Sequence, residues 1–499
     1  MTRAAIARSG LAVASLLAGP ALAGPTLAAC GGDFVIEPVD ASAGAPGTGL
    51  GRPTGKPSVE DEGGTSGLER ADASRCTDPG VDCPGVPPCP NGESPATLTG
   101  TVFDPAGKNP LYNAVVYVPQ ADLPPIATGT NTCTTCGTPV SSYVTATATD
   151  ATGKFTLPNV PTGMEIPLVV QAGKWRREMF VPLVRACTTT AVPPELTRLP
   201  RNHYEGDLPQ MAALTGACDG IACFLRRVGV DAQEFTGPDG DGRVHVYRGA
   251  GPGPDLAGGG GGTAGDCTGT SGACPLWSTK AALERYDNVF LGCECGENNQ
   301  TKPDMAPMHD WLGEGGLVIA VHNQETWFKN GPADFQTAAT WTTADAAAPG
   351  PFLVDTTFQG GKNMQKWLGN TGALASDGTV SLNPPDVSDT MASAGSQSSR
   401  WIYEDGSDAA AASVAYLSFG TPVGGIGPPQ EPPQYCGRAI VTDVHVGASA
   451  APSTAAVPAS CDAGDLSPEE KALEFMLFDV PLCVETVLQP PNPTPPPPK

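Results

Sequence analysis

Short stretches of alternating apolar and polar residues mark one early part of the chain. They lie at residues 97–103, 114–118, 143–149, 154–157 and 166–170, and they are rich in Val and Thr. Turns rich in Asp, Pro and Gly separate several of these stretches. Because successive side chains of a strand point to opposite faces of a sheet, the pattern predicts a small β-sandwich.

A second pattern begins near residue 209, where short apolar runs alternate with segments of helical periodicity. Predicted strands occupy 210–216, 287–292, 317–321, 414–419 and 438–441, and predicted helices occupy 218–228, 305–313, 356–368 and a last segment from residue 467. Strands that alternate with helices favour a parallel sheet covered on both faces. The predicted fold class is therefore multidomain, with the β-sandwich followed by a Rossmann-like α/β domain that has a mostly parallel sheet.

An export signal is predicted at residues 1–29, where two arginines precede an apolar stretch too short to span a bilayer. The stretch leads into Leu-Ala-Ala-Cys at 27–30, which resembles a bacterial lipobox. The resemblance implies that Cys30 becomes the lipid-modified first residue of the mature protein. Cleavage after Ala23, which would leave a soluble protein, is the alternative. We expect attachment to a membrane through the lipid, since no later run is apolar and long enough to span one.

Composition and charge refine this organisation. The 499 residues include 62 Gly and 53 Pro, which favours globular domains joined by connectors. We therefore predict a flexible tether at 30–95, the sandwich at 96–196, the α/β domain at 197–485 and a disordered Pro-rich tail at 486–499. The net charge of −24 makes a nucleic-acid partner unexpected, because phosphate contacts need a basic surface.

The chain has 16 cysteines, and an exported protein with so many thiols is expected to use most of them in disulfides. Cys76, Cys83 and Cys89 are expected to hold a small knot at the end of the tether. The candidates for disulfides in the domains are Cys133, Cys136, Cys187, Cys267, Cys274, Cys436, Cys461 and Cys483. Cys267 and Cys274 would close a Gly-rich loop. Cys133 and Cys136 would bond to each other, or one of them would bond to Cys187.

The sandwich segment resembles the carboxypeptidase regulatory-like domain, a transthyretin-like fold. The residues that carry the resemblance are 100–107, 113–116, 149–155 and 160–163. Domains of that family are usually non-catalytic spacers or binding units, so the resemblance implies no active site in this part.

The α/β segment resembles the class I glutamine amidotransferase-like fold. The residues that carry the resemblance are 286–291, 311–322 and 437–445. Active members of the family have a nucleophilic cysteine on the turn after the central strand, where this chain has His-Asn-Gln-Glu at 322–325. His445 matches the catalytic histidine, and Val446 and Gly447 stand where its supporting acid would follow. The resemblance therefore implies a degenerate catalytic triad.

Cys293 and Cys295 follow a predicted strand at the edge where such sheets bind ligands. A thiolate there, close to His322 or His445, would serve as a nucleophile or as a soft-metal ligand. Because exported thiols oxidise unless they are shielded, the sequence favours instead that each cysteine is in a disulfide, and the thiolate site is the alternative. The sequence predicts no cofactor and no resident metal.

Several further segments resemble predicted bacterial envelope lipoproteins, namely 173–177, 198–201, 234–236, 436–438 and 469–479. We therefore expect an exported, lipid-anchored protein of the cell envelope with a non-catalytic binding or scaffolding role. Its expected partners are the membrane and an envelope glycan or protein. The alternative is an exported hydrolase of amidotransferase-like fold that uses Cys293, Cys295, His322 and His445.

Overall fold

A computed structural model describes most of the chain beyond its first 88 residues. The described residues are 89–90, 95–129, 143–250, 256–257, 263–268, 274–342, 350–382, 390–405, 413–425, 435–447, 456–461 and 464–478. All of them belong to one compact unit, Leu68–Lys499. The predicted signal peptide, Cys30, Cys76, Cys83, Cys133, Cys136, Cys483, the Pro-rich tail and almost all of the tether lie outside the described residues.

The first part of the described chain contains two small sheets. Its strands are β1 Thr97–Thr101, β2 Val115–Pro119, β3 Tyr143–Ala148, β4 Lys154–Leu157, β5 Gly163–Ala172, β6 Trp175–Val184 and β7 Thr189–Ala191. One sheet has the order β4-β1-β7 and the other has the order β3-β2-β5-β6. Apolar side chains from both sheets, among them Leu98, Leu157, Val116 and Leu168, pack in a common core.

The second part mixes strands and helices. Its strands are β8 Met211–Thr215, β9 Phe235–Thr236, β10 Val244–Arg248, β11 Leu256–Ala257, β12 Gly265–Asp266, β13 Asn288–Leu291, β14 Leu317–Val321, β15 Ala339–Trp341, β16 Phe352–Val354, β17 Met391–Ala394, β18 Ser398–Glu404, β19 Val414–Thr421, β20 Gly437–Thr442 and β21 Val457–Pro458. Its helices are α1 Ile221–Val228, α2 Lys280–Leu283, α3 Ala306–Gly313, α4 Thr326–Lys329, α5 Ala333–Gln336, α6 Gln359–Asn370 and α7 Pro468–Phe478.

A ten-stranded sheet organises this second part. Its order is β12-β10-β8-β13-β14-β20-β19-β18-β16, with β9 paired to β10. The pairings from β12 to β20 are parallel, and those from β20 to β16 are antiparallel. The chain is thus a mixed α/β protein with several sheets. Because β8, β13, β14 and β20 are adjacent and parallel, the loops after them meet at one edge.

Each face of the large sheet packs on its own core, which explains the continuous apolar runs of the central strands. In β14, Ile319 and Val321 belong to one core, whereas Val318 and Ala320 belong to the other. The first of these cores is continuous with the core of the two small sheets.

Four disulfides join described cysteines, namely Cys89–Cys187, Cys218–Cys295, Cys223–Cys461 and Cys267–Cys274. Cys436 is also disulfide-bonded. The Cys267–Cys274 bond is the pairing that the loop spacing suggested. Cys187 bonds to Cys89, which excludes the alternative in which Cys187 bonds to Cys133 or Cys136. The expected placement of Cys89 in a knot within the tether is wrong.

These disulfides indicate a protein of an oxidising compartment. Among the described residues, no helix is both long and apolar enough to cross a membrane.

Candidate active site

The loops after β13, β14 and β20 bring three of the predicted site residues together. Cys293 lies two residues beyond β13, His322 directly follows β14, and His445 lies three residues beyond β20. The Cys293 Sγ atom is 3.2 Å from Nδ1 of His322. The imidazole rings of His322 and His445 have centroids 4.3 Å apart, and the sulfur and one nitrogen of each ring all lie within 4.8 Å of one another.

Close backbone packing holds these loops in place. A Cβ atom on Gly216, directly after β8, would lie 1.9 Å from the carbonyl oxygen of Cys293. A Cβ atom on Gly220 would lie 2.9 Å from the carbonyl oxygen of Gly447. The loop after β8 therefore touches the Cys293 loop and the His445 loop through glycines that larger residues cannot replace without a shift of the backbone.

Asp219, in the loop between β8 and α1, contacts both His445 and the backbone of Cys293. Its side chain is fully buried. Its Oδ1 atom accepts hydrogen bonds from His445 Nδ1 at 2.9 Å and from the Val446 backbone N–H at 3.2 Å. Its Oδ2 atom accepts one from the Cys293 backbone N–H at 2.7 Å. One carboxylate thus orients the imidazole and fixes the backbone of the thiol.

Asp219 was not among the site residues predicted from the sequence. The family resemblance placed the supporting acid at 446–447, after the histidine, and that position holds no acid. A carboxylate nonetheless reaches His445 from the loop after β8. A signal was present, since Asp219 follows a buried strand and precedes a helix at the same sheet edge as Cys293.

Protonation at the site depends on burial and on these partners. Burial raises the pKa of the Cys293 thiol, and the interaction with His445 opposes the rise. Burial alone would lower the pKa of His445, but the hydrogen bond to Asp219 and the interaction with Cys293 raise it to about 10. These contacts favour the imidazolium form of His445, which can stabilise a developing thiolate.

Cys295 takes no part as a thiol, because it bonds to Cys218. The disulfide expected for Cys295 is confirmed, and the alternative role as a nucleophile or metal ligand is excluded. The bond joins the loop after β8, which carries Asp219, to the loop after β13, which carries Cys293. It therefore restrains both loops. The disulfide expected for Cys293 is wrong, because Cys293 is the one free cysteine among the residues that the structure describes, and its side chain is buried.

A buried ion pair stabilises the loop that carries Cys293. The Lys302 Nζ atom lies 2.9 Å from Glu294 Oε2, and both side chains are fully buried. The Gln324 side-chain amide donates to Glu294 Oε2 and to the Gly292 carbonyl, each at 3.0 Å. These contacts join the loops after β13 and β14 and restrict the backbone on both sides of Cys293.

Cys293, His322 and His445 could also hold a metal ion. One thiolate and two imidazoles are ligands that suit zinc or copper. Ligating histidines commonly donate their second ring N–H to a carboxylate, as His445 does to Asp219. The donor set fits a three-ligand site with an open fourth position.

No protein-family model matches the chain, and no curated protein matches it.

Proposed function

We propose that the chain is an exported hydrolase that cleaves acyl bonds through a cysteine nucleophile. The proposal rests on two observations. The Cys293 sulfur lies close to the His445 ring, and that ring is oriented by its hydrogen bond to the buried Asp219 carboxylate. A nucleophile, a base and a group that orients the base form the general arrangement of covalent acyl transfer. This proposal takes the hydrolase alternative in preference to a purely scaffolding role.

The proposed reaction uses the imidazolium as a proton donor. The Cys293 thiol first loses its proton to solvent, a step made harder because burial raises its pKa. The resulting thiolate forms a bond to the acyl carbon, and the carbonyl π electrons move to oxygen. Collapse of this intermediate breaks the bond to the leaving amine or alcohol, which takes the proton from His445. Neutral His445 then removes a proton from water as its oxygen attacks the thioester, and the Cys293 thiolate leaves beside the restored imidazolium.

We also propose how the two parts of the described chain divide into domains. The two small sheets with their common core support a β-sandwich of the carboxypeptidase regulatory-like kind. The six parallel strands from β12 to β20 support a Rossmann-like domain of amidotransferase-like ancestry. In this arrangement the sandwich acts as a non-catalytic spacer between the membrane and the hydrolase.

Acylation of Cys293 tests the proposal directly. The probe is p-nitrophenyl acetate, an activated acyl ester, and the readouts are turnover of p-nitrophenol and peptide mass spectrometry of the acetylated protein. We expect turnover, with the acetyl group trapped on Cys293, and neither in Cys293→Ala. The control is the double variant Cys267→Ala with Cys274→Ala, which removes a disulfide elsewhere and should keep the activity. No acetylation of Cys293, or turnover that survives Cys293→Ala, would contradict the proposal and return the chain to a scaffolding role.

A second candidate function is a metal site, and the position of His322 favours it. An acyl-transfer triad needs a single histidine, whereas His322 brings a second imidazole to 3.2 Å from the sulfur. Elemental analysis before and after treatment with EDTA separates the two functions. The thiol hydrolase keeps its acylation after the metal is removed, and a metal-dependent site loses it.

We further propose that a lipid on Cys30 anchors the protein in the cell envelope. The lipobox at 27–30 supports this proposal. Cys30→Ala should move the protein from the membrane fraction to the soluble fraction. Unchanged fractionation of that variant would contradict the anchor.

A further inference from the structure

A separate cavity of about 380 Å³ opens beside the loop after β14. Its lining includes Asn323, Glu325, Lys329, Glu297 and Trp341. The volume is in the range of small-molecule pockets. The thiol chemistry described above uses none of these side chains.

Glu325 is the unusual residue of this cavity. Its side chain is 2% exposed, and its Oε1 atom pairs with Lys329 Nζ at 3.0 Å. Its Oε2 atom is buried and has no hydrogen-bond partner among the described residues. A buried carboxylate oxygen without a donor is unfavourable, so Oε2 is a place for a donor that a ligand would bring.

The charge around Glu325 selects the kind of donor. Lys329 is shared between Glu325 and Glu297, at 3.0 Å and 2.6 Å. Burial raises the pKa of Glu325 to about 7, and the buried Asp443 carboxylate adds to the rise. Two carboxylates that line the cavity therefore share the Lys329 ammonium group. A second cation would relieve this excess of negative charge, and Trp341, which also lines the cavity, is an aromatic residue of the kind that attracts cations.

Asn323 connects the cavity to the reacting thiol. It lines the cavity, and its Nδ2 atom is 2.6 Å from Nδ1 of His322. His322 in turn lies 3.2 Å from the Cys293 sulfur. A ligand in the cavity is thus within two side chains of the nucleophile.

We propose that this cavity binds a primary ammonium group, with Glu325 Oε2 as its acceptor and Trp341 at its side. The binding site stands on its own geometry. Its role as the specificity pocket of the enzyme rests on the proposed hydrolase function, and the substrates are then acyl compounds that carry a cationic amine.

Binding to an inactive variant tests the cavity independently of catalysis. The full chain with Cys293→Ala is titrated by calorimetry with Nα-acetyl-L-lysinamide and with its neutral counterpart Nα-acetyl-L-norleucinamide. We expect about tenfold tighter binding of the lysine compound, as for a charge-assisted hydrogen bond. Glu325→Gln in the same background should abolish the preference, and Glu284→Gln, a change of a carboxylate pair partner elsewhere on the surface, should leave it intact.

Trp341→Leu provides a second variant if Glu325→Gln does not fold, and it should reduce the preference for the lysine compound. Equal binding of the two compounds to the Cys293→Ala chain, or a preference that survives both substitutions, would overturn the ammonium site. Failure of the hydrolase proposal would appear instead as missing acetylation of Cys293 while the lysine preference remains.

Discussion

Two buried acidic regions of this protein differ in how their oxygens are satisfied. At the sheet edge, both oxygens of Asp219 accept hydrogen bonds, from His445 and from the backbone N–H groups of Cys293 and Val446. At the junction of the small sheets with α7, Asp104 and Glu474 each have one oxygen without a donor among the described residues.

In the second region, only the other carboxylate oxygen of each side chain accepts a hydrogen bond. Asp104 Oδ1 accepts from the Lys108 backbone N–H at 2.7 Å, and Glu474 Oε2 accepts from Asn109 Nδ2 at 2.7 Å. Burial raises the pKa of Asp104 to about 6. Burial together with the charge of Asp104 raises the pKa of Glu474 well above its usual range.

The comparison shows that donors, rather than burial alone, decide what a buried carboxyl group does. Asp219 has enough donors to act as a fixed acceptor, so it can hold an imidazolium and two loops in one geometry. Asp104 and Glu474 face each other without enough donors, and a retained proton satisfies the oxygens that lack one. The Asp219 region holds His445 and the Cys293 loop in position, and the Asp104–Glu474 region makes the free energy of unfolding depend on pH.

The largest effect is expected from the replacement of the positioning carboxylate. Asp219→Asn should lower p-nitrophenyl acetate turnover roughly 10³-fold, because a neutral amide cannot stabilise the positive charge of His445 and its NH2 group cannot accept a hydrogen bond in place of the second carboxylate oxygen. Thermal unfolding of the variant should still be cooperative. Turnover close to that of the native chain would show that His445 does not need Asp219.

A smaller effect is expected from Asp104→Asn, measured on stability. The folded pKa of Asp104 is about 6, above the ordinary value of 3.8. Its contribution to stability is therefore present at low pH and is lost as the pH rises through 6. Relative to the variant, the native chain should lose about 2 kcal/mol of unfolding free energy between about pH 4 and about pH 7.

Denaturant unfolding of both proteins at several pH values measures this difference, with Glu284→Gln as a surface control. The amide in Asp104→Asn donates permanently to Glu474, so the stability curve of the variant should be flatter. Identical curves for the native chain and the variant would mean that the pair at the junction does not titrate in this range.

The sequence predicted the central strands well because their signal is local. β8, β13, β14 and β20 are apolar runs buried on both faces, and each matches a predicted strand. β10 was missed, because its buried His245 interrupts the apolar pattern. The imidazole is accommodated by hydrogen-bonding contacts with the Tyr286 hydroxyl at 3.0 Å and the Gly240 carbonyl at 3.1 Å, which no local pattern shows.

The candidate site was predicted in part. Cys293, His322 and His445 were found because each follows a strand of the same sheet, and parallel strands end at a common edge. Asp219 was missed because it lies 226 residues from His445 along the chain, whereas the resembled family places the supporting acid after the histidine. The bond of Cys295 to Cys218 spans 77 residues, and cysteine spacing alone cannot choose such a partner.

The titration of His445 tests the central claim most directly, because it needs no knowledge of the substrate. Its imidazole signals are followed by NMR over pH in the native chain and in Asp219→Asn, with His445→Gln used for assignment. We expect His445 to stay protonated well above neutral pH, because its contacts raise its pKa to about 10, and we expect Asp219→Asn to lower this pKa strongly. An ordinary histidine titration in the native chain, unchanged by Asp219→Asn, would contradict the claim that Cys293, His445 and Asp219 act as one unit.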